Sequence, residues 1–295
     1  HLVDDQPVAA VGRGAQEEVD AREARAVQRQ IGAAGRLLDG RGDNLFGFGG
    51  DDFLQVGAAP SVIDGGEGND VILLTGFGGY LIPDSNGDGI AETAPVPAGG
   101  FFVDLATGII RDGDGNSGTI AGIEMVLGSE LGDIIVGGAS NELLAGGGGH
   151  DVIDGGTGNQ DVALFDLPAA GAGALSIVDG TGDQAGMKLV ILSDSGSTAT
   201  LATIAIAGGV VTVTGTGAGA ALGTDTLTNI DRLVFNTEDG ASVELNIGSG
   251  VVADGLVAGA TVFMDANRNG ALDLGEAFTT TAADGSFSFL SAGSG

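Results

Sequence analysis

Residues 65–73 read GGEGNDVIL and residues 146–154 read GGGGHDVID, one pattern written twice with starts 81 residues apart, a multiple of nine. Counting back from Gly65 in nines gives GFGGDDFLQ at 47 and LDGRGDNLF at 38, with VGAAPSVID at 56 between. The sixth place then holds Asp43, Asp52, Ser61 and Asp70, and the eighth holds Leu45, Leu54, Ile63 and Ile72. The next nonamer, from Leu74, keeps Leu81 in the eighth place although its sixth is Gly79. A second array starts at Thr119 and carries Glu124, Asp133, Glu142, Asp151 and Gln160 in the sixth place, with Asp161 displaced by one residue. Its eighth places are Val126, Ile135, Leu144, Ile153 and Val162. A fixed period of this kind is the signature of a repeat architecture.

The period implies a two-part unit, in which about six glycine-rich residues turn the chain and about three form a short strand with its middle side chain inward. Two units close one coil, so loops on one edge recur every 18 residues and stack Asp52 on Asp70 and Asp133 on Asp151. Unscreened carboxylates so placed repel. Glycine backbones leave carbonyl oxygens free to converge with them on a hard cation, which turns repulsion into a cross-link.

Composition agrees. The chain has 40 acidic and 10 basic residues, a formal charge of -30. Six arginines and seven acids lie in the first 41 positions, so nearly all of the excess falls on residues 42 to 295. Such a surface repels nucleic acid and anionic membranes. With 43% hydrophobic residues the chain is still able to build a core. Twelve phenylalanines, one tyrosine and no tryptophan leave small aliphatics to fill it. Cysteine is absent and histidine occurs twice, which argues against disulfides, thiolate sites and zinc. No apolar run reaches the ~18 residues of a membrane span. The chain opens on His1 without a signal-like segment, and the expectation is a processed product or fragment.

The arrays resemble the RTX family, whose calcium-binding nonapeptide is G-G-x-G-x-D-x-U-x; residues 65–73 and 146–154 match it fully. FVDLATG at 102–108, GIEMVLGS at 122–129 and GTDTLTNIDRLVF at 223–235 look like spacers of that family, so the likeness covers roughly residues 38–245. It implies an all-β fold built on a parallel β-roll, type I secretion, and folding triggered by extracellular calcium. The expected calcium ligands in the arrays are Asp43, Asp52, Gly65, Gly66, Gly68, Asp70, Asp133, Gly146, Gly147, Gly149, Asp151 and Asp161. Ser61, Gly79, Glu142 and Gln160 stand in aspartate places, where sites are expected to be weak or empty.

Outside the arrays, residues 15–31 read as a helix, with acids toward its start and arginines toward its end. It is expected to cap the first coil. Residues 172–214 contain MKLVIL, ATLATIAIA and GVVTVTG, strands that extend the roll or form a small sheet beside it. LNIGSGVVADG suggests a boundary near 246–256. Beyond it, VFMDANRNGALDLGEAF fits D-x-[DN]-x-[DN]-G-x5-E from Asp265, through Asn267, Asn269 and Gly270 to Glu276. Ala271 would lend a carbonyl, Asp273 a direct or water-mediated contact, and Glu276 a bidentate carboxylate. Strand-like flanks argue against a helix-loop-helix hand, and the segment resembles calcium-bearing B-repeat modules of bacterial surface proteins, cut short at Gly295. DSNGDGIAE offers a weaker loop of Asp84, Asn86, Asp88 and Glu92, with Pro95 where the bidentate glutamate belongs. RDGDGN, with Asp112, Asp114 and Asn116, reads as either a turn or a calcium loop.

Catalytic patterns fail. SDSGS at 193–197 imitates an aspartic-protease loop, but no second D-[ST]-G supplies the partner carboxylate, and a hairpin turn is expected. GTGAGA at 215–220 follows a strand, yet no dinucleotide-binding helix is expected after it. His150 falls at a variable place and reads as a surface residue. The expected organisation is a helical cap or linker (1–37), a β-roll (38–166) with an insertion at 83–100, a β-rich extension (167–245) and a partial β module (246–295). The expected function is a secreted, non-catalytic calcium module of a bacterial adhesin, fibre or S-layer-like assembly. It would lie outside a Gram-negative-type cell, with end-to-end self-association open to it. The alternative is the calcium domain of a secreted protease, lipase or polysaccharide-modifying enzyme. An ice- or carbohydrate-binding segment finds no threonine ladder or aromatic platform in the sequence.

Overall fold

A computed structural model of the chain describes residues 37–40, 44–57, 62–74, 81–82, 92–93, 99–171, 173–184, 187–251, 257–263, 271–272 and 278–292. The expected helix over 15–31 and Asp43 lie outside them. In chain order the first array forms β1 (Leu37–Gly40), β2 (Leu45–Phe46), β3 (Phe53–Val56), β4 (Val62–Asp64) and β5 (Val71–Leu74). After β6 (Leu81–Ile82) and β7 (Glu92–Thr93) come β8 (Phe102–Asp104), β9 (Ile109–Arg111) and β10 (Ser117–Ala121). The second array gives β11 (Met125–Leu127), β12 (Ile134–Val136), β13 (Leu143–Ala145), β14 (Val152–Asp154) and β15 (Val162–Leu167).

Successive strands of the arrays alternate between two sheets, and within each sheet the stacked strands are parallel. The registers Phe53↔Val71, Leu45↔Ile63, Met125↔Leu143 and Ile134↔Val152 are all 18 residues apart, the coil length that the nonamer predicts. Between β13 and β15 the offset becomes 19, with Leu143 opposite Val162, which absorbs the one-residue displacement of Asp161. The middle residue of each strand points inward. Leu54, Ile72, Val126, Ile135, Leu144 and Ile153 are all wholly buried. Large aromatics contribute more than composition suggests: Phe165 and Phe235 lie opposite each other on paired strands and stack at 4.9 Å, both inside the core.

The segment between the arrays departs from the repeat. Leu81 does not continue the stack, since β6 pairs antiparallel with β7 in a separate two-stranded sheet. The nonamer count breaks there because the chain has left the coil. In the first sheet β5 pairs directly with β11, whereas in the second β9 and β8 are inserted between β10 and β12. At ~4.8 Å per strand this lengthens the second sheet by roughly 10 Å relative to the first. Asp112 closes the β9–β10 hairpin, its Oδ1 accepting the N–H of Asp114 and Asn116 and its Oδ2 the Asn116 side-chain amide. Those bonds support the turn reading of RDGDGN.

Past the arrays, β16 (Ala174–Asp179), β17 (Lys188–Asp194), β18 (Ser197–Ala207) and β19 (Val210–Gly215) form an antiparallel meander. It continues the second sheet of the roll through β20 (Thr224–Thr228). SDSGS is the two-residue β17–β18 turn, with Ser195 and Gly196 both at positive φ and Asp194 opposite Ser197. GTGAGA departs modestly from expectation. Gly217–Leu222 makes a short 3-10 helix, which leads directly into β20. β21 (Arg232–Thr237) and β22 (Ser242–Val251) continue the first sheet, and β22 runs through position 246, where the sequence suggested a boundary. β25 (Ser286–Ala292) pairs with β22 in that sheet. Between them β23 (Thr261–Phe263) and β24 (Phe278–Thr280) form an antiparallel hairpin.

Candidate metal centre

The array strands β3, β5, β11, β12, β13 and β14 follow directly on the sixth-place acids Asp52, Asp70, Glu124, Asp133, Glu142 and Asp151, whereas β15 follows the displaced Asp161 and β4 follows Ser61. Asp52, Asp70, Asp133, Glu142, Asp151 and Asp161 are all buried. Their carboxylates form two columns, one along each edge of the roll, in which Asp70, Glu124, Asp151 and Asp161 each accept the backbone N–H of the acid one coil earlier. Along the first, Asp52 donates to Asp70 Oδ1 at 2.8 Å, Asp70 to Glu124 Oε2 at 2.8 Å, and Glu142 to Asp161 Oδ1 at 2.9 Å. Along the second, Phe101 donates to Asp133 Oδ1 at 2.5 Å and Asp133 to Asp151 Oδ1 at 2.7 Å. Asp52 is thus stacked on Asp70, and Asp133 on Asp151, as the 18-residue spacing requires. The link is a charge-assisted N–H to carboxylate bond, the strong class of protein hydrogen bond.

One oxygen of each carboxylate is used in this way or against a neighbouring turn, and the second is frequently left over. Asp52 Oδ2, Asp70 Oδ2, Glu142 Oε2, Asp151 Oδ2 and Asp161 Oδ2 are buried with no hydrogen-bond partner. Asp133 differs, because its Oδ2 accepts from Ser129 N–H at 2.6 Å and Ser129 Oγ at 3.0 Å. The ion pairs among the described residues, Lys188 with Asp179 and Arg232 with Glu244, are partly exposed and touch none of the columns. A buried carboxylate oxygen without a donor or counter-charge is costly.

The glycines supply the rest of the cradle. A Cβ on Gly47 would lie 2.2 Å from Gly65 O and 2.8 Å from Asp52 Oδ2, and one on Gly65 would lie 1.9 Å from Gly122 O and 2.6 Å from Asp70 Oδ2. A Cβ on Gly146 would lie 2.1 Å from Asp151 Oδ2. Around each such point an orphaned carboxylate oxygen or a carbonyl of the next coil crowds in, leaving no room for a side chain. Gly66 and Gly147, at φ 98° and 90°, make the turn itself. Phe48 occupies the same place in its own nonamer at φ 75°, an unfavourable conformation for a residue with a Cβ. Gly68 and Gly149 also lie at positive φ. Among the described residues no three histidines, aspartates or glutamates are grouped so as to hold a metal ion by themselves. Carboxylate and carbonyl oxygens crowd the same points beside Gly47 and Gly65, a mixture that suits a hard cation of calcium's kind and not zinc.

Burial raises the pKa of Asp70, Asp133, Glu142 and Asp161, and pushes Asp151 up to about 8, with the charges of Asp225 and Asp133 adding to the effect. In the ion-free chain the folded state thus binds more protons than the unfolded state between the usual carboxylate range and about pH 8. Its stability is complete below that range and is lost as pH rises through the folded pKa. Metal-stripped protein is expected to show more β structure by far-UV circular dichroism at about pH 5 than at about pH 9, whereas the calcium needed for half-folding falls as pH rises. Equal ion-free spectra at both values would contradict this.

Other expected sites fall differently. Asp84, Asn86 and Asp88 lie outside the described residues, and Glu92 is on β7, opposite Ile82. Asp265, Asn267, Asn269, Asp273 and Glu276 also lie outside, and Ala271 is in the β23–β24 connection. The flanks of that loop are strands, as read from the sequence. His150 is exposed, its Nδ1 near the Thr224 backbone. The sequence reading missed Asp225 and Asp231. Each precedes an inward leucine by two residues, the same D-x-aliphatic spacing as Asp151 and Ile153, but the two acids are six residues apart and escape a search at nine.

Stacked parallel coils edged by buried, half-satisfied carboxylates define a calcium-binding β-roll. A four-copy family model of the RTX calcium-binding nonapeptide repeat matches residues 46–77 and 127–159. These two stretches are RTX calcium-binding nonapeptide repeats. No curated protein matches the chain. RTX repeats are typical of secreted proteins and are typically non-catalytic, and no helix among the described residues is long and apolar enough to cross a membrane.

Proposed function

We propose that this chain is a secreted structural module that folds on extracellular calcium and serves a bacterial surface adhesin, fibre or S-layer-like assembly. The observation that carries it is the set of five buried carboxylate oxygens without partners, spread over both arrays and both edges of the roll. Asp52, Asp70, Glu142, Asp151 and Asp161 would hold the ions, together with carbonyls of the glycine turns. Asp133, filled by Ser129 and Phe101, positions the turn beside them. Bound calcium supplies the positive charge that the columns lack. Glu142, expected from its sequence place to leave a weak site, has its own orphaned oxygen and counts among the ligands here.

The chain itself sets the switch. Extracellular calcium sites commonly have dissociation constants near ~10⁻⁴ to 10⁻³ M. At tenfold saturation each site adds about 1.4 kcal/mol, and several in series rival the ~5 to 15 kcal/mol stability of a whole domain. With cytosolic calcium the carboxylates repel and the chain stays open enough to be exported. Outside the cell the same carboxylates are cross-linked. The acidic loop from Asp265 to Glu276, spanning the β23–β24 hairpin, would add a site of a second type at the end of the module. Light scattering during a calcium titration tests the switch. Collapse of the hydrodynamic radius with a midpoint between about 10⁻⁴ and 10⁻³ M supports it. A compact chain at submicromolar calcium sinks it.

A further inference from the structure

Residues 223–235 lie outside both matched stretches, yet they build one more coil. β20 is parallel to β14, with Ile153 opposite Leu227, and β21 is parallel to β15, with Ala163 opposite Leu233. Leu227 and Leu233 are wholly buried, in the inward place that the eighth residue holds in a nonamer. Asp225 accepts the N–H of Asp151 at 3.0 Å and Asp231 that of Asp161 at 2.9 Å, so both carboxylate columns continue onto this coil. The turn is shorter than a glycine loop because Asn229 makes it at φ 52°. Its carbonyl lies 2.1 Å from where a Gly155 Cβ would be.

At this junction two acids are stacked with almost no solvent contact, Asp151 and Asp225 each being 1% exposed. The Asp151 N–H is committed to Asp225, and Asp151 Oδ1 to the N–H of Asp133. Asp151 Oδ2 has no partner. One coil earlier, Ser129, four residues before Asp133, fills the corresponding oxygen with its N–H and hydroxyl. The residue four before Asp151 is Gly147, which has no hydroxyl to offer. No lysine or arginine among the described residues pairs with either acid.

We propose that Asp151 and Asp225 together hold a divalent cation of calcium's class between the last repeat and the closing coil. That ion locks the β-rich extension to the roll. The extension follows because β20 is the strand through which the meander β16–β19 joins the second sheet. The proposal rests on the calcium reading of the repeats and extends it to an acid that belongs to no nonapeptide.

The test counts bound calcium in the full-length chain by calorimetry for the wild type, Asp225→Asn, and Asp179→Asn, whose acid is on the surface beside Lys188. Asp225→Asn is expected to bind one ion fewer and Asp179→Asn the same number as the wild type. Equal counts for Asp225→Asn and wild type overturn the proposal and leave the repeat sites standing. A wild type that binds no calcium overturns the proposed function itself. If Asp225→Asn does not fold in calcium, Asp225→Ser takes its place, since this change removes the carboxylate while its hydroxyl leaves a polar acceptor beside the Asp151 N–H. One ion fewer than the wild type supports the shared ion, and the wild-type count refutes it.

Discussion

Gly65→Ala is expected to destabilise the calcium-loaded roll by about 3 kcal/mol or more, beyond the ordinary cost of an added methyl in a packed interior. The new Cβ would lie 1.9 Å from Gly122 O and 2.6 Å from Asp70 Oδ2. The first of these is backbone of the next coil, which no rotamer change will clear. Separating the coils enough to fit it would stretch the bonds that join β4 to β10, including Gly65 N–H to Ala121 O at 3.0 Å, and displace Asp70 from its column. Gly115→Ala is the control, since Gly115 sits in the β9–β10 turn at φ 88° with nothing near its Cβ position. It should cost only the ~1–2 kcal/mol of left-handed backbone. Melting of both variants in saturating calcium checks the comparison. Similar losses would mean that the coils are not packed through their glycines.

Asp151→Ala carries the second large effect. The methyl gives Asp133 N–H no acceptor, and a buried donor so abandoned costs ~1–3 kcal/mol. It also removes the orphaned Oδ2, so the variant should bind about one calcium ion fewer by calorimetry and melt lower in calcium. In metal-free buffer the sign reverses for Asp151→Asn. The amide keeps an acceptor for Asp133 and is neutral without taking up a proton on folding, so ion-free Asp151→Asn should be more folded at neutral pH than ion-free wild type. Unchanged calcium stoichiometry in Asp151→Ala would break the pairing of Asp151 with the ion.

The roll was legible because one physical constraint acts at every ninth residue. An inward side chain between two sheets must be aliphatic, and Leu54, Ile72, Ile135, Leu144 and Ile153 record it without exception. The 18-residue coil follows by arithmetic and sets the Asp52–Asp70 and Asp133–Asp151 contacts. What lay hidden depends on pairing that no period encodes. FVDLATGIIRDGDGNSGTI looks like a spacer, but its β8 and β10 each join a different coil and β9 reverses between them, a choice made by the Asp112 turn and by tertiary pairing. Leu81 kept the period by chance of spacing. Asp225 and Asp231 were obscured by a six-residue interval, and the role of Ser129 beneath Asp133 by the fact that a serine in a turn is common. Glutamate in an aspartate place proved compatible with the column, because Glu124 reaches the Asp70 N–H with its longer arm.

The most direct test compares metal-stripped with calcium-saturated protein at neutral pH by far-UV circular dichroism and thermal melting. Loss of the β spectrum on stripping, and its return with a cooperative transition when calcium is restored, is the predicted result. The same spectrum and melting temperature in both states would contradict the claim that cations hold these coils together.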